Sequence, residues 1–285
     1  MMGNHDRQET DEQMQPAIYA IQIAQSMYRE LTDQLPVPLA GSMLDVERTH
    51  TALESVDTLV MAHRARASEN LDRVFEMMID DDNERLLAYP FSLYSLIRSA
   101  VEAAATSMWL IQSSRKADRV LRALQLTYRS SHEALKFAEL IKGNSGASPA
   151  AKGHAKTVHR LNELKDTVGP LRQLELGPPP HYTAILTAVS LKSRDAVGAG
   201  YEISSPLIVW KVSSAFLHGS SEVVRALSDI RQMEEFADGI ASFEITPSIQ
   251  MLAISIRTCV DLIAQLDERY GYLSTHDYSA RPVQL

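Results

Sequence analysis

The sequence has 285 residues, 45% of them hydrophobic and 22% charged, with a formal net charge of −8, which suits one large domain or two modest ones. Its single cysteine, Cys259, excludes an internal disulfide and a cysteine-based zinc cluster, so burial must hold the fold and a reducing compartment is expected. The negative charge repels nucleic acid and anionic lipid overall, so binding of either has to be local.

Residues 1–15 are polar and lack the apolar core of a signal peptide, so they read as a poorly ordered tail of a cytoplasmic protein. Residues 17–35 carry Ile18, Ile21, Met27, Tyr28 and Leu31 at helical spacing between Pro16 and Pro36. A second run, about 43–80, repeats Val46, Leu53, Val56, Leu59, Leu71, Val74 and Met78 with no internal Pro or Gly, which predicts a long N-terminal helical hairpin. The acidic run Asp80–Asp82 with Asn83 suits a turn, and Pro90 suits the first turn of the next helix.

The helix over 90–113 is apolar on nearly every face, the pattern of an enclosed helix. The next, 115–142, sets Leu121, Leu124, Tyr128, Leu135 and Ala138 on one arc. Arg115, Arg119, Arg122, Arg129 and Lys136 take the opposite arc, a basic outer stripe. GNSGASPA at 143–150 and GPPP at 177–180 are connectors around a polar helix at about 151–171. Further helices are expected at about 181–197, 205–219, 221–237 and 247–270, with no strand. Residues 99–112 and 204–217, the most apolar stretches, carry Glu102 and Lys211 and fall short of the roughly 20 residues of a membrane span, so no membrane association is expected. The fold class is all-α: a single multi-helix bundle of about eight or nine helices over 16–271, with a flexible C-terminal tail at 272–285.

The sequence lacks a phosphate-binding Gly-rich loop, a Gly-x-Ser-x-Gly elbow and a His-Glu-x-x-His pair, which disfavours P-loop hydrolysis and zincin chemistry. A carboxylate-bridged metal pair in a bundle needs two Glu-x-x-His motifs, and only Glu47 to His50 fits. His154, His159 and Glu163 share one polar helix, but His159 and Glu163 alone make a two-ligand set, so neither metal nor cofactor is expected. The basic stripe is the candidate for RNA backbone binding, and its plainer reading is a solvated surface.

Two pairs sit inside apolar helices. Arg98 and Glu102 are at i, i+4, where an unpaired charge would cost several kcal/mol. Trp210, Ser214 and His218 line one face of the helix at 205–219, just before Gly219. Packed together, Arg98, Glu102, Ser214 and His218 could form an enclosed polar cluster, either a pocket with His218 as general base or acid, or a network that fixes helix register.

The segments YSLIRSAVEAAATSMWL, RKADRVLRALQL and WKVSSAFLHGSS resemble a loose group of bacterial and phage helical proteins of HEPN-like type, a resemblance that covers about 130 discontinuous residues. The resemblance rests on the Arg98-x-x-x-Glu102 and Ser214-x-x-x-His218-Gly219 pairs. It implies an RNA-binding protein or metal-independent ribonuclease of defence or toxin type, with Arg98, Glu102 and His218 as its catalytic residues. The Arg and His that such ribonucleases carry with four to six residues between them match only Arg269 and His276 here, the latter in the expected tail. A silent bundle that binds partners is equally compatible. Three functions therefore stand: a non-enzymatic, self-associating interaction or regulatory protein of a prokaryotic or phage cytoplasm; the HEPN-like RNA-directed protein; and a small-molecule sensor with its ligand near Trp109 and Trp210.

Overall fold

The first helix, α1 (Asp11–Arg29), begins five residues before Pro16. The Gln13 side chain accepts the Thr10 N–H at 2.9 Å. These coordinates, a computed structural model, describe residues 9–31, 34–80, 85–142, 149–191, 205–235 and 240–277. Residues 9–15 thus correct the expectation of a loose tail as far as Glu9. The Glu9 carboxylate accepts the N–H groups of Ile249 at 2.8 Å and Gln250 at 3.4 Å, and its own N–H bonds the Asp229 carboxylate at 2.9 Å. The ends 1–8 and 278–285, the connector residues 143–148 and the expected helical residues 192–197 and 236–237 lie outside the described residues, as do Asp81, Asp82 and Asn83.

The second arm of the N-terminal hairpin is broken. It consists of α2 (Met43–Arg48) and α3 (Val56–Met78). Thr49 Oγ1 donates to the Val46 carbonyl at 2.9 Å and Thr51 Oγ1 to the Glu47 carbonyl at 3.0 Å. Such hydroxyl bonds offer the backbone an alternative to helix, and Ser55 Oγ restarts it by accepting the Thr58 N–H at 3.4 Å.

A two-residue antiparallel pair, β1 (Ile79–Asp80) with β2 (Arg85–Leu86), leads into α4 (Pro90–Ile111). The expectation of an enclosed helix holds: Leu93, Tyr94, Ile97, Ala100, Val101, Ala103, Ala104, Ala105, Leu110 and Ile111 are all fully buried. α5 (Lys116–Lys142) and α6 (Pro149–Asp166) pair closely, followed by a 3-10 turn at Gly169–Leu171. Val120 and Leu124 of α5 pack there with Leu161, Leu164, Val168, Leu171 and Leu176. Next come α7 (Tyr182–Ala188), α8 (Pro206–Leu217) and α9 (Ser221–Ala226).

After α9 the expected helix does not continue. β3 (Ser228–Gln232) pairs antiparallel with β4 (Phe243–Pro247), in register from Ser228 opposite Pro247 to Gln232 opposite Phe243. Four of the five β4 residues are exposed, so no buried alternation marked the strand in the sequence. The last helix, α10 (Ile249–Thr275), is long and apolar enough to cross a membrane by composition, but 78% of its most apolar window is buried inside the fold, as befits a core helix. It runs into the expected tail, where Leu39 N–H bonds the Ser274 carbonyl at 2.9 Å.

The all-α, multi-helix class is therefore observed, with ten α-helices among the described residues. The chain forms two compact units, each built from three separated segments. One comprises residues 1–33, 64–105 and 186–266, and the other 34–63, 106–185 and 267–285. α3, α4, α7 and α10 contribute residues to both.

Candidate functional site

In the first unit, α4 and α8 bring Arg98, Glu102, Trp210 and Ser214 together. Ser205 caps α8 by accepting the Ile208 N–H at 3.3 Å, and Pro206 occupies the first turn. This start sets Trp210 and Ser214 one turn apart, facing the Arg98–Glu102 step of α4. Arg98 Nε donates to Ser214 Oγ at 3.0 Å, and its guanidinium lies over the Trp210 ring, 5.1 Å from the centroid. Trp210 Nε1 donates to Glu102 Oε2 at 3.1 Å, while Arg98 approaches the same oxygen at 3.8 Å. Arg66 of α3, which the sequence reading omitted, reaches Glu102 Oε1 at 4.0 Å. Glu102 is thus held between two guanidinia and an indole N–H, with its side chain 16% exposed.

Ser214 is fully engaged. Its hydroxyl proton goes to the Trp210 carbonyl at 2.7 Å while its oxygen accepts from Arg98. Among the described residues no base bonds that hydroxyl, so the nucleophile–base contact that covalent catalysis requires is not seen there.

His218 corrects the expected four-residue cluster. It is the C-cap of α8, and its exposed side chain makes no hydrogen bond or ion pair among the described residues. Gly219, at φ +64°, ends the helix: its N–H bonds the Phe216 carbonyl at 3.2 Å, and Ser220 N–H bonds Ala215 at 2.9 Å. This left-handed glycine termination turns the chain away one residue too early for His218 to continue the Trp210–Ser214 face. Accordingly Glu102→Ala is expected to cost about 1–3 kcal/mol, allowing for partial solvent screening, by leaving Arg98 and the Trp210 N–H without their shared acceptor. His218→Ala should change stability by less than about 0.5 kcal/mol. Urea titrations of the two variants measure the contrast.

In the second unit, the basic stripe of α5 is mostly not a surface. Arg119 is fully buried and binds the equally buried Glu47 of α2. Its Nε lies 3.0 and 3.3 Å from the two carboxylate oxygens, Nη2 makes a further short bond, and Nη1 donates to the Ser113 carbonyl at 2.7 Å. Arg122 folds over Trp109, 5.0 Å from the ring centroid, and donates to its carbonyl. Arg269 of α10 donates to the carbonyls of Ile111 and Ser113, both at 3.1 Å. Three guanidinia therefore satisfy the carbonyls at the C-terminal end of α4, where the helix dipole is negative. Burial holds the Glu47 carboxyl above its ordinary value, and Arg119 offsets only part of that rise.

Of the remaining stripe residues, Arg115 is paired with Asp118 at 3.0 Å. Arg129 donates to the Pro180 carbonyl at 2.8 Å and lies over Tyr182. Lys136 is exposed with no partner among the described residues. The helical projection placed these cations opposite the arc that meets α6, but α5 has a second neighbour on that side, the end of α4 together with α2.

The Glu47–His50 motif does not converge on a metal. His50 Nδ1 lies 2.7 Å from Thr167 Oγ1, and its Nε2 faces Lys116 Nζ at 3.4 Å. Burial, then Lys116, lowers its pKa from the ordinary value. His159 and Glu163 form an exposed ion pair at 3.3 Å. At the HEPN spacing, Arg269 donates to the end of α4 and also lies over Tyr272, 5.3 Å from the ring centroid, while His276 stacks on the same ring with centroids 3.8 Å apart. A cavity of 330 Å³ lies on α1 and α3, lined by Tyr28, Phe75, Glu69, Asp72 and Arg73 among others, with neither tryptophan in its wall.

Comparison with protein families, curated proteins and solved structures finds no match to this chain.

Proposed function

We propose that this chain is a non-enzymatic helical interaction protein that self-associates through the C-terminal turns of α5, in a prokaryotic or phage cytoplasm. The observation that carries this reading is a packing face left without a neighbour among the described residues. Steps of three and four residues lead along one side of α5 from Arg119, Ala123 and Leu126, all buried, through Ser130 to Phe137 and Ile141. Phe137, Leu140 and Ile141 are 64%, 83% and 65% exposed. Apolar side chains clustered in this way on the surface mark an interaction site.

The occupant is a second copy. Ala134 and Ala138 share the face with Phe137 and Ile141, so two antiparallel helices related by a two-fold at the Phe137–Ala138 step set each large side chain against a partner's alanine. That arrangement is isologous and closes as a dimer. Light scattering after size-exclusion chromatography should report a dimer at micromolar concentration, and a strict monomer there would contradict the proposal.

The RNA-directed alternative ranks behind, because its stripe needs free cations. Arg119, Arg122 and Arg129 are committed to Glu47, to the Trp109 carbonyl and to Pro180 with Tyr182. Likewise Arg98 and Glu102 are committed to Ser214 and Trp210, and His218 makes no hydrogen bond or ion pair with either among the described residues.

A further inference from the structure

We propose that His132 and His154 form a binding site for a divalent transition-metal ion of the zinc, nickel or copper class. The two residues come from different helices, α5 and α6, and the close pairing of these helices brings their rings to a centroid separation of 5.5 Å with planes 46° apart. An imidazole nitrogen binds such an ion at about 2.0–2.1 Å and lies about 1.1 Å from its own ring centre. Two rings on one tetrahedral ion therefore sit about 5.2 Å apart, centre to centre. The observed spacing is within a few tenths of an ångström of that bite.

Two further features make this pair a metal site in waiting. Ser131 Oγ lies 2.9 Å from His154 Nδ1. With the Nδ1 proton donated to the hydroxyl, the ring is oriented and its Nε2 lone pair is left for a ligand, the usual outer-shell support of a ligating histidine. His132 Nδ1 is buried and has no hydrogen-bond partner among the described residues. A buried polar atom without a partner calls for one, and an ion or its water supplies it. Tyr128 closes one side, its ring 6.1 Å from His132 and 5.7 Å from His154.

No group of three or more His, Cys, Asp or Glu side chains assembles anywhere among the described residues, so water completes the coordination. With two protein ligands, the ion binds reversibly. Neutral imidazoles without thiolate or carboxylate select zinc, nickel and copper over magnesium or calcium.

Zinc chloride titrated into the full chain at neutral pH, followed by calorimetry, should show one ion bound per chain. His132→Gln and His154→Gln should each weaken binding by more than about tenfold, while His159→Gln, whose ring is exposed and paired with Glu163, should bind as the wild type does. Undiminished binding in either of the first two variants, or no binding by the wild type at submillimolar zinc, overturns the site. Copper(II) added to the unmutated chain gives a readout that no folding defect can confuse. Its paramagnetic resonance should carry hyperfine structure from two imidazole nitrogens, and a signal with one or none would equally overturn it.

Discussion

Glu47→Ala is expected to destabilise the protein by about 3–5 kcal/mol, the largest single-residue effect outside the apolar core. The reason is an asymmetry of burial. Arg119 is fully buried, and Glu47 is the carboxylate that neutralises it, through two Nε contacts and a further bond from Nη2. Truncating Glu47 leaves a guanidinium away from water, with the Ser113 carbonyl as its remaining acceptor of those observed. Removing both charges is a different experiment. Glu47→Leu with Arg119→Met replaces the pair by apolar volume, and such exchanges are often neutral or stabilising. Urea unfolding of the single and double variants should therefore show most of the loss recovered. Equal losses in both would mean that the carbonyl caps of α4, and not the ion pair, carry the energy.

Phe216→Ala is the second large effect, at about 3–5 kcal/mol. Phe216 is fully buried in α8, stacked on the equally buried Tyr94 of α4 with centroids 4.0 Å apart and edge-on to Phe91 at 6.4 Å. Truncation removes the aromatic contact and leaves a void that the surrounding helices fill only in part. The same stack positions α8 for the Arg98–Ser214 and Glu102–Trp210 bonds. The change should thus be visible twice, as a lowered unfolding midpoint and as altered Trp210 fluorescence in the folded state.

The helices were legible because their apolar spacing is strong: Leu59, Val60, Leu71, Val74 and Met78 in α3 are all buried as their periodicity requires. What interrupts the helices was not. The stop between α2 and α3 depends on two threonine hydroxyls turning back onto carbonyls, and no Pro or Gly advertises it. β3 and β4 were missed because Ser-Asp-Ile-Arg-Gln and Phe-Glu-Ile-Thr-Pro are short and one of them is largely exposed. Glu9, a residue of the apparent tail, caps α10 from some 240 positions away, which no local pattern encodes.

For the site, the two i, i+4 pairs were readable as partners because a charge in an apolar helix demands one, and the fold joins Arg98 to Ser214 and Glu102 to Trp210. The Trp210–Ser214 face does not continue to His218, because Gly219 ends the helix there. The helical projection gave α5 one buried side, whereas Arg119 sits beside the buried Val120 and needs an acid partner, which Glu47 of α2 supplies. The pairing of His132 with His154 crosses two helices, so spacing along either one could not reveal it.

The central claim is that the exposed end of α5 is an interface between two copies. Phe137→Glu tests it most directly. A charge on a side chain already 64% exposed should leave the thermal midpoint within a few degrees of wild type. Light scattering should show the molar mass fall from that of a dimer to that of a single chain. A variant that keeps the mass of the wild type, dimeric or monomeric, would contradict the account.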